Sequence, residues 1–197
     1  MSAGIPVPET VFAHGWWTVD GEKMSKSKGN VVDPLELIKK YSVDSFRYFL
    51  FRSTPFGDDG DFSEKTLIER HNNELANKLG NLVSRVAGLI EKYGVEKTSN
   101  QLVKKLKEKE IDKLMEEFKF DQVLSLIFEF IDNCNEYVQS RKIWETKDKK
   151  ALYELKESIL KIAELLFPFI PETSEKINKQ FSQKNIKREE ILFKKIE

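Results

Sequence analysis

The chain has 197 residues, 40% of them hydrophobic, and its 33 basic and 33 acidic side chains give a net charge of zero. Overall charge therefore does not indicate a nucleic-acid partner, and any phosphate-binding surface has to be a local patch. The single cysteine, Cys134, excludes a disulfide and a cysteine zinc site, and the lack of a long apolar run or a signal peptide predicts a cytoplasmic protein without a membrane partner.

The first 32 residues contain the strand-like runs. Residues 10–14 and 16–19 are predicted as short strands separated by Gly15, and Asp20-Gly21 is typical of a tight hairpin turn. A loop rich in lysine, serine and glycine follows at residues 23–30.

From residue 33 onward the pattern predicts helices. Asp33 and Pro34 suit the cap and first position of one helix, and Asp44 is predicted to cap a second. Proline, glycine and aspartate then predict a loop over residues 54–62. A long helix is predicted from about residue 63 to about residue 92, with Gly80 inside it, where a glycine often admits a close neighbour.

The remaining sequence carries the apolar stripes of further helices, ending in a helix over residues 172–181. The spacing of these stripes is typical of a bundle: Ile111, Leu114, Met115 and Phe118; Val123, Leu124, Ile127, Phe128, Ile131 and Val138; Leu152, Leu155, Ile159, Ile162 and Leu166. Residues 95–100 are predicted as a linker, and residues 190–196 as a short strand or an extended arm.

The predicted fold is mainly α. It consists of a short N-terminal β-hairpin and loop, two connecting helices, and an antiparallel helical bundle. The predicted boundaries are residues 1–32, 33–62 and 63–197. Residues 63–182 contain enough periodic apolar positions for a core of their own, so we expect the bundle to fold without the N-terminal part.

The loop Lys23-Met24-Ser25-Lys26-Ser27-Lys28-Gly29-Asn30 carries three lysines within six residues. Such a loop can fold over a polyphosphate, because lysine brings a compact charge and three donors on a long stem. A generic lysine and serine turn is most often only a solvated surface. The literal KMSKS sequence, after His14-Gly15 and before residues 29–34, instead resembles the second signature of class I aminoacyl-tRNA synthetases.

This resemblance implies a role in amino-acid activation. In that family the loop binds the triphosphate of ATP, supplied with Mg²⁺, and stabilises negative charge as the amino-acid carboxylate attacks the α-phosphorus. By position in the motif, Lys26 is the expected transition-state contact and Lys23 supports it. Met24, Ser25 and Ser27 complete the implied ATP-binding set, while Lys28 lies outside the signature.

The first signature of the family, a HIGH-type tetrapeptide, is not found in the chain. His14 belongs to the strand that leads to the loop, and His71 is predicted to be structural. The resemblance therefore implies that the nucleotide fold, the methionine pocket and any zinc-bearing insertion lie in an N-terminal catalytic half, on the same parent chain or a separate subunit, without which the chain is expected to be inactive.

Residues 12–34 look most like the methionyl-tRNA synthetases. The leucyl, isoleucyl and valyl enzymes share parts of this stretch, but residues 59–63, residues 77–85, and Tyr137 followed by Trp144 favour the methionyl family. Asn77, Asn81 and Arg85 are spaced by four, so they lie on one helix face. Their amide and guanidinium groups suit the edges of unpaired bases, and a tryptophan can stack on such a base.

The resemblance implies that Asn77, Asn81, Arg85 and Trp144 read the CAU anticodon of tRNA(Met). Without this resemblance, a helix face of asparagine and arginine would be interpreted as an ordinary solvated surface, and a lone tryptophan as a half-buried core residue. The family usually has proline before this tryptophan, where this chain has Ile143. Four basic residues between these two regions fit tRNA docking and ordinary helix-surface charges equally well: Lys39, Lys40, Arg47 and Arg52.

Three hypotheses remain open from the sequence. The chain is the C-terminal part of a methionyl enzyme that uses ATP, methionine and tRNA(Met); or it is a stand-alone tRNA-binding module without catalysis; or it is part of a leucyl, isoleucyl or valyl enzyme. An aminoacylation assay with the catalytic half added, and with the four amino acids in turn, would separate them.

Overall fold

The computed structural model describes residues 4–197, which form a small sheet and a set of packed helices. The strands are β1 (Trp17–Val19), β2 (Glu22–Lys23) and β3 (Gly60–Phe62). The α-helices are α1 (Pro34–Tyr41), α2 (Val43–Ser53), α3 (Glu64–Arg70), α4 (Asn81–Tyr93), α5 (Glu108–Glu116), α6 (Phe120–Ser140), α7 (Ile143–Thr146), α8 (Lys149–Leu166) and α9 (Pro171–Phe181). The prediction of a mainly α fold is confirmed.

The predicted hairpin is confirmed, but the sheet has a third strand. β1 and β2 are antiparallel, and both turn residues, Asp20 and Gly21, have positive φ angles of 52° and 75°, which suit a two-residue hairpin. β3 pairs with β1 in parallel. The prediction of a loop over residues 54–62 is therefore wrong at its end, and residues 10–14 are not a strand.

The first two helices have different kinds of cap. Asp33 caps α1 as predicted, since its Oδ1 accepts a hydrogen bond of 2.8 Å from the Leu35 amide. The prediction that Asp44 caps α2 is wrong. Ser42 does so, with a φ of 76° and an Oγ that accepts from the Ser45 amide at 3.3 Å.

The predicted long helix is continuous but contains a π-helical segment, His71–Gly80, between α3 and α4. Ser63 caps its start, and Gly94, with a φ of 75°, lies at its end. A Cβ atom on Gly80 would lie 3.2 Å from the Leu75 carbonyl oxygen and 3.8 Å from the Phe193 ring, so the close neighbour of this glycine is the backbone of the same long helix.

Two hydrophobic cores meet at α2. The large core lies within the bundle and includes Tyr48, whereas the small core joins the sheet to α1, α2 and α3 and includes Phe49. Both side chains are almost completely buried. The predicted boundaries at residues 32 and 62 stay predictions, but α2 clearly contributes to the core of the bundle.

The predicted apolar stripes lie in the large core or, for Met115, pack against it, with one exception. Phe118 follows the end of α5, has a φ of 58° and is 47% exposed, so its assignment to a helix stripe is wrong. Its ring instead packs against the rings of Phe12, Phe56 and Phe120 at centroid distances of 5.5, 6.2 and 6.0 Å.

The end of the chain, residues 186–196, is an extended arm rather than a strand; we call it the tail. It runs back along the long helix. Asn72 exchanges two hydrogen bonds with the backbone of Ile196, at 2.8 and 2.9 Å, and His71 contacts the carbonyl of Lys194 at 2.8 Å. None of the helices over residues 4–197 has the length and apolar character needed to cross a membrane.

Candidate functional site

The lysine loop, residues 23–30, connects β2 to the segment before α1 and is closed by a short turn. The amides of Lys28 and Gly29 donate to the Ser25 carbonyl at 3.2 and 3.1 Å. Gly29 has a φ of 69°, in the left-handed region that glycine adopts without strain. The Ser25 and Ser27 hydroxyls are 2.8 Å apart, so the two serines predicted for ATP binding lie together.

The three lysine side chains of this loop make different contacts. Lys28 forms an ion pair with Glu22 at 2.9 Å. The ammonium of Lys23 lies 5.6 Å from the centre of the Trp16 ring. Lys26 is exposed and, among the residues that the structure describes, has no ion-pair partner. Within the described part of the chain, Lys26 and Lys23 thus have no ion pair to break before they meet a polyanion, while Lys28 has a weak, exposed one.

Two aspartates hold the hairpin that carries the loop. Asp59 accepts a hydrogen bond of 2.7 Å from the Trp16 amide, and Asp61 accepts from the Thr18 hydroxyl at 2.6 Å and the Gly21 amide at 2.8 Å. These bonds, the Thr18 bond first, lower the pKa of the Asp61 carboxyl. The stretch of residues 59–63 therefore anchors the loop's base through contacts some forty residues distant in sequence.

Close packing fixes the segment before β1 as well. A Cβ atom on Gly15 would lie 2.1 Å from the Asp58 carbonyl oxygen, so only glycine fits at this position. His14 is exposed, and its Nδ1 lies near the carbonyl of Gly15.

A second candidate site lies on the long helix. Asn77 and Asn81 are exposed and line a groove against the tail, with Arg188, Phe193 and Lys194 on its other side. Both residues are therefore accessible from this groove. The structure brings these two predicted residues together.

Arg85 extends in another direction, toward α6. Its Nη2 donates to the Asn135 side chain at 3.0 Å, and Asn135 in turn donates to the Lys78 carbonyl at 3.3 Å. The Arg85 side chain is half-buried, and burial lowers the pKa of its guanidinium. Arg85 does not line the groove of Asn77 and Asn81.

Trp144 is displayed on the short helix α7. Both flanking residues, Lys142 and Lys147, have left-handed backbones, with φ of 44° and 53°. Ile143, which stands where the family usually has proline, is completely buried and anchors the turn in the large core. Trp144 itself is 40% exposed, and its carbonyl accepts from the Tyr93 hydroxyl at 3.3 Å.

Tyr137 has a structural role. Its hydroxyl donates to Glu154, and burial together with this bond raises the pKa of the phenol. The guanidinium of Arg141 covers its ring at 4.7 Å. Tyr137 therefore supports the end of α6 from which Trp144 follows.

The basic residues considered for tRNA docking all have partners within the chain. Arg47 donates to the carbonyls of Pro168 and Phe169, at 2.6 and 2.9 Å, and so caps the end of α8. Arg52 pairs with Glu74, Lys39 with Glu36 and Lys40 with Glu64. The contacts of Arg47 and Arg52 favour the interpretation as fold-stabilising charges, whereas the exposed pairs of Lys39 and Lys40 are weak and do not decide between the two interpretations.

Two residues with clear roles in these sites received none from the sequence. Asn30 bridges the ends of the lysine loop, and Asn135 holds Arg85. The only sequence signal for Asn30 is its place directly after the loop; Asn135 has none, because its partner lies fifty residues away. Over residues 4–197 no group of three or more histidine, cysteine, aspartate or glutamate side chains is placed to hold a metal ion.

Two family models match the chain. The family described as tRNA synthetases class I (M) matches residues 1–87, and the family described as anticodon-binding domain of tRNA ligase matches residues 105–196. Together they cover most of the sequence, and the lysine loop, Asn77, Asn81 and Arg85 lie within the first match. Trp144 lies within the second.

Curated relatives and solved structures point in the same direction. The methionine–tRNA ligase of Fusobacterium nucleatum is 42% identical over 91% of this chain and 31% of the relative. That of Rickettsia conorii is 38% identical over 98% of this chain and 42% of the relative. The methionyl-tRNA synthetase of Mycobacterium tuberculosis in complex with methionyl-adenylate superposes with a TM-score of 0.82 and 31% identity, over 95% of this chain and 41% of that chain. The chain spans less than half the length of these relatives.

Proposed function

Because this chain belongs to the class I aminoacyl-tRNA synthetases of the methionyl type, with the end of the synthetase domain joined to an anticodon-binding domain, we propose that it supplies two working parts of a methionine–tRNA ligase. One part binds the phosphates of ATP and the other reads the anticodon of tRNA(Met). The observation that carries the first assignment is the lysine loop, in which Lys26 is exposed and free of ion pairs over the described residues.

The lysine loop acts on ATP during the activation of methionine. The methionine carboxylate attacks the α-phosphorus, the bond to the bridging oxygen breaks, and pyrophosphate leaves with the negative charge. Lys26 meets that developing charge and Lys23 assists, while Met24, Ser25 and Ser27 shape the binding loop. Cations placed in advance lower the barrier, because they need no rearrangement when the charge forms. The Mg²⁺ ion arrives with ATP as part of the substrate.

The helical bundle recognises the CAU anticodon. Asn77 and Asn81 offer donors and acceptors to base edges from the groove beside the tail, and Arg85 and Trp144 offer flat faces on which unpaired bases stack. The support is the exposure of Asn77, Asn81 and Trp144, and the fixed guanidinium plane of Arg85.

ATP, methionine and tRNA(Met) are the proposed partners of the complete enzyme, together with the remainder of the catalytic domain. The curated relatives are methionine–tRNA ligases, which disfavours an assignment to the leucyl, isoleucyl or valyl enzymes. A stand-alone tRNA-binding module remains the second candidate. Such a module would bind tRNA(Met), but the lysines of its loop would not contribute to methionine activation, even in a complete synthetase.

Activation kinetics of a complete synthetase that contains this sequence test the proposal. Substitution Lys26→Ala should lower the rate of methionyl-adenylate formation by about 10²–10³-fold, with a smaller effect on ATP binding, because it removes a contact made mainly in the transition state. Lys97→Ala, in the exposed linker, is the matched control. An unchanged rate with weaker ATP binding would mean that the loop only binds ATP.

A further inference from the structure

The side chain of Asn30 ties together the two ends of the lysine loop. Its Oδ1 accepts a hydrogen bond of 2.8 Å from the Ser25 amide, and its Nδ2 donates one of 3.2 Å to the Lys23 carbonyl. One amide group therefore fixes the backbone on both sides of Met24. The left-handed Gly29 immediately before it reverses the chain and returns Asn30 to the start of the loop.

Trp16 provides a separate support for the side chain of Lys23. The Trp16 backbone is held at both ends, by Asp59 and by the Gly60 amide, which donates to its carbonyl at 2.8 Å. Trp16 is 75% exposed, and the Lys23 ammonium lies over its ring. A cation at such an exposed ring is held weakly, so a polyphosphate can draw the ammonium away.

The loop thus combines a fixed backbone with mobile charges. Asn30 holds the main chain of Lys23 and Ser25, whereas the ammonium of Lys26 has no ion-pair partner over residues 4–197. Electrostatic catalysis depends on charges whose attachment points are in place before the reaction. Both hydrogen bonds of Asn30 stay inside the loop, so their loss would loosen the loop without removing a contact from either hydrophobic core.

We propose that Asn30 is a positioning residue for the phosphate-binding loop: it sets the main chain from which Lys23 and Lys26 reach the triphosphate. This inference rests on the proposed function of the loop in ATP activation. Asn30 thereby affects the rate of the chemical step through the two lysines and does not contact ATP directly.

The first test is made on this chain alone. Substitution Asn30→Ala should leave the unfolding temperature unchanged and increase hydrogen exchange at the Ser25 amide, which loses its acceptor. Val31→Ala, at the neighbouring exposed position, is the matched control. Unchanged exchange at Ser25 would overturn the inference, because Asn30 would then not order the loop.

The second test is made in a complete synthetase by measuring pyrophosphate exchange. Asn30→Ala should lower kcat by up to about 10²-fold with little change in the KM for ATP, because displacement of a catalytic group by about 1 Å has effects of this size. Val31→Ala should match wild type. A raised KM with unchanged kcat would overturn the inference, since Asn30 would then serve ground-state binding only.

A parallel Lys26→Ala variant separates the two proposals. If Lys26→Ala is slow and Asn30→Ala is as fast as wild type, the role of Asn30 is refuted and the function of the loop stands. If Lys26→Ala is also as fast as wild type, the loop does not act in activation and both proposals fail.

Discussion

The carboxylate of Asp44, in the first turn of α2, accepts a hydrogen bond of 2.6 Å from the backbone amide of Thr173, in the first turn of α9. The residue at the cap position of α9, Ile170, cannot accept such a bond through its side chain, and Pro171 has no N–H group. Asp44 therefore caps a helix that lies 129 positions later in the sequence.

Replacement of this distant cap should destabilise the fold. Asp44 is 3% exposed, so Asp44→Ala leaves the Thr173 amide without a partner in a buried position and should cost about 1–3 kcal/mol. Asp44→Asn keeps an acceptor and should cost less. Urea unfolding measures both, with Asp112→Ala, at an exposed position of α5, as the control. Equal stability of Asp44→Ala and Asp112→Ala would contradict the assignment.

The neighbouring residues Tyr48 and Phe49 should report on different cores. Tyr48 packs against Phe128 of the bundle at 5.2 Å, and Phe49 against Phe62 of the sheet at 5.5 Å. Either substitution to alanine should cost about 3–5 kcal/mol. In hydrogen-exchange measurements, Tyr48→Ala should mainly expose amides of α6, and Phe49→Ala mainly those around β3. The same exchange pattern in both variants would mean that the cores unfold as one unit.

His71 should make stability depend on pH. Its Nε2 donates to the Lys194 carbonyl, so its Nδ1 is free to accept from the Ser45 hydroxyl at 2.9 Å only while the ring is neutral. Burial lowers the pKa of His71. Since the unfolded chain then takes up a proton more readily, the stability that His71 contributes is present above about pH 6.5 and is lost as the pH falls below that value.

Urea unfolding between about pH 8 and about pH 5.5 measures this dependence. His71→Gln should be less stable than wild type at the higher pH and should lose less stability on acidification. The control is His14→Gln, which replaces the other histidine of the chain at an exposed position and should follow the wild-type curve. A pH profile of His71→Gln parallel to wild type would assign the effect to other groups.

Arg85 and Trp144 should distinguish one anticodon loop from another. Binding of a hairpin with a CAU loop and of one with a scrambled loop should differ for wild type, and Arg85→Ala or Trp144→Ala should weaken CAU binding by about 1–3 kcal/mol with less effect on the scrambled loop. Arg85→Lys keeps the charge but loses the flat fork, so it should resemble Arg85→Ala.

Trp16→Ala, at an exposed tryptophan on the other site, is the control for this binding experiment. If both hairpins weaken equally on substitution, Arg85 and Trp144 only contact the backbone of the RNA. If wild type shows no preference between the loops, anticodon reading requires more than this chain.

The sequence alone predicts the structure correctly where the contacts that determine it join residues close together in the chain. Asp33 caps the helix that starts one residue later, and Asp20-Gly21 forms the turn between adjacent strands. Strand β3 was missed because it is three residues long and pairs with β1 across more than forty residues. Aspartate is a turn-forming residue, but here the carboxylates of Asp59 and Asp61 hold the hairpin of β1 and β2 in place.

The candidate sites show the same difference between what local sequence predicts and what depends on distant contacts. The KMSKS motif singles out Lys23 and Lys26 as candidates directly, since the proposed chemistry is in the residues themselves. The direction of the Arg85 side chain depends on Asn135 of α6, and no spacing rule along the long helix contains that contact. The burial of Ile143, which holds Trp144 at the surface, likewise depends on the assembled bundle.

The π-helical segment determines how far the side chains of α4 are rotated about the helix axis relative to those of α3. In an α-helix each residue advances by about 100° around the axis, whereas a π turn accommodates an extra residue. Loss of one residue between His71 and Gly80 can therefore be absorbed when a π turn becomes an α turn, which keeps Asn81 and Arg85 in phase with Leu67, whereas the same loss from a regular α-helix would rotate them by roughly 100°. This segment therefore tolerates a change of one residue in length better than α3 or α4, where the same change would turn every later side chain away from its contact.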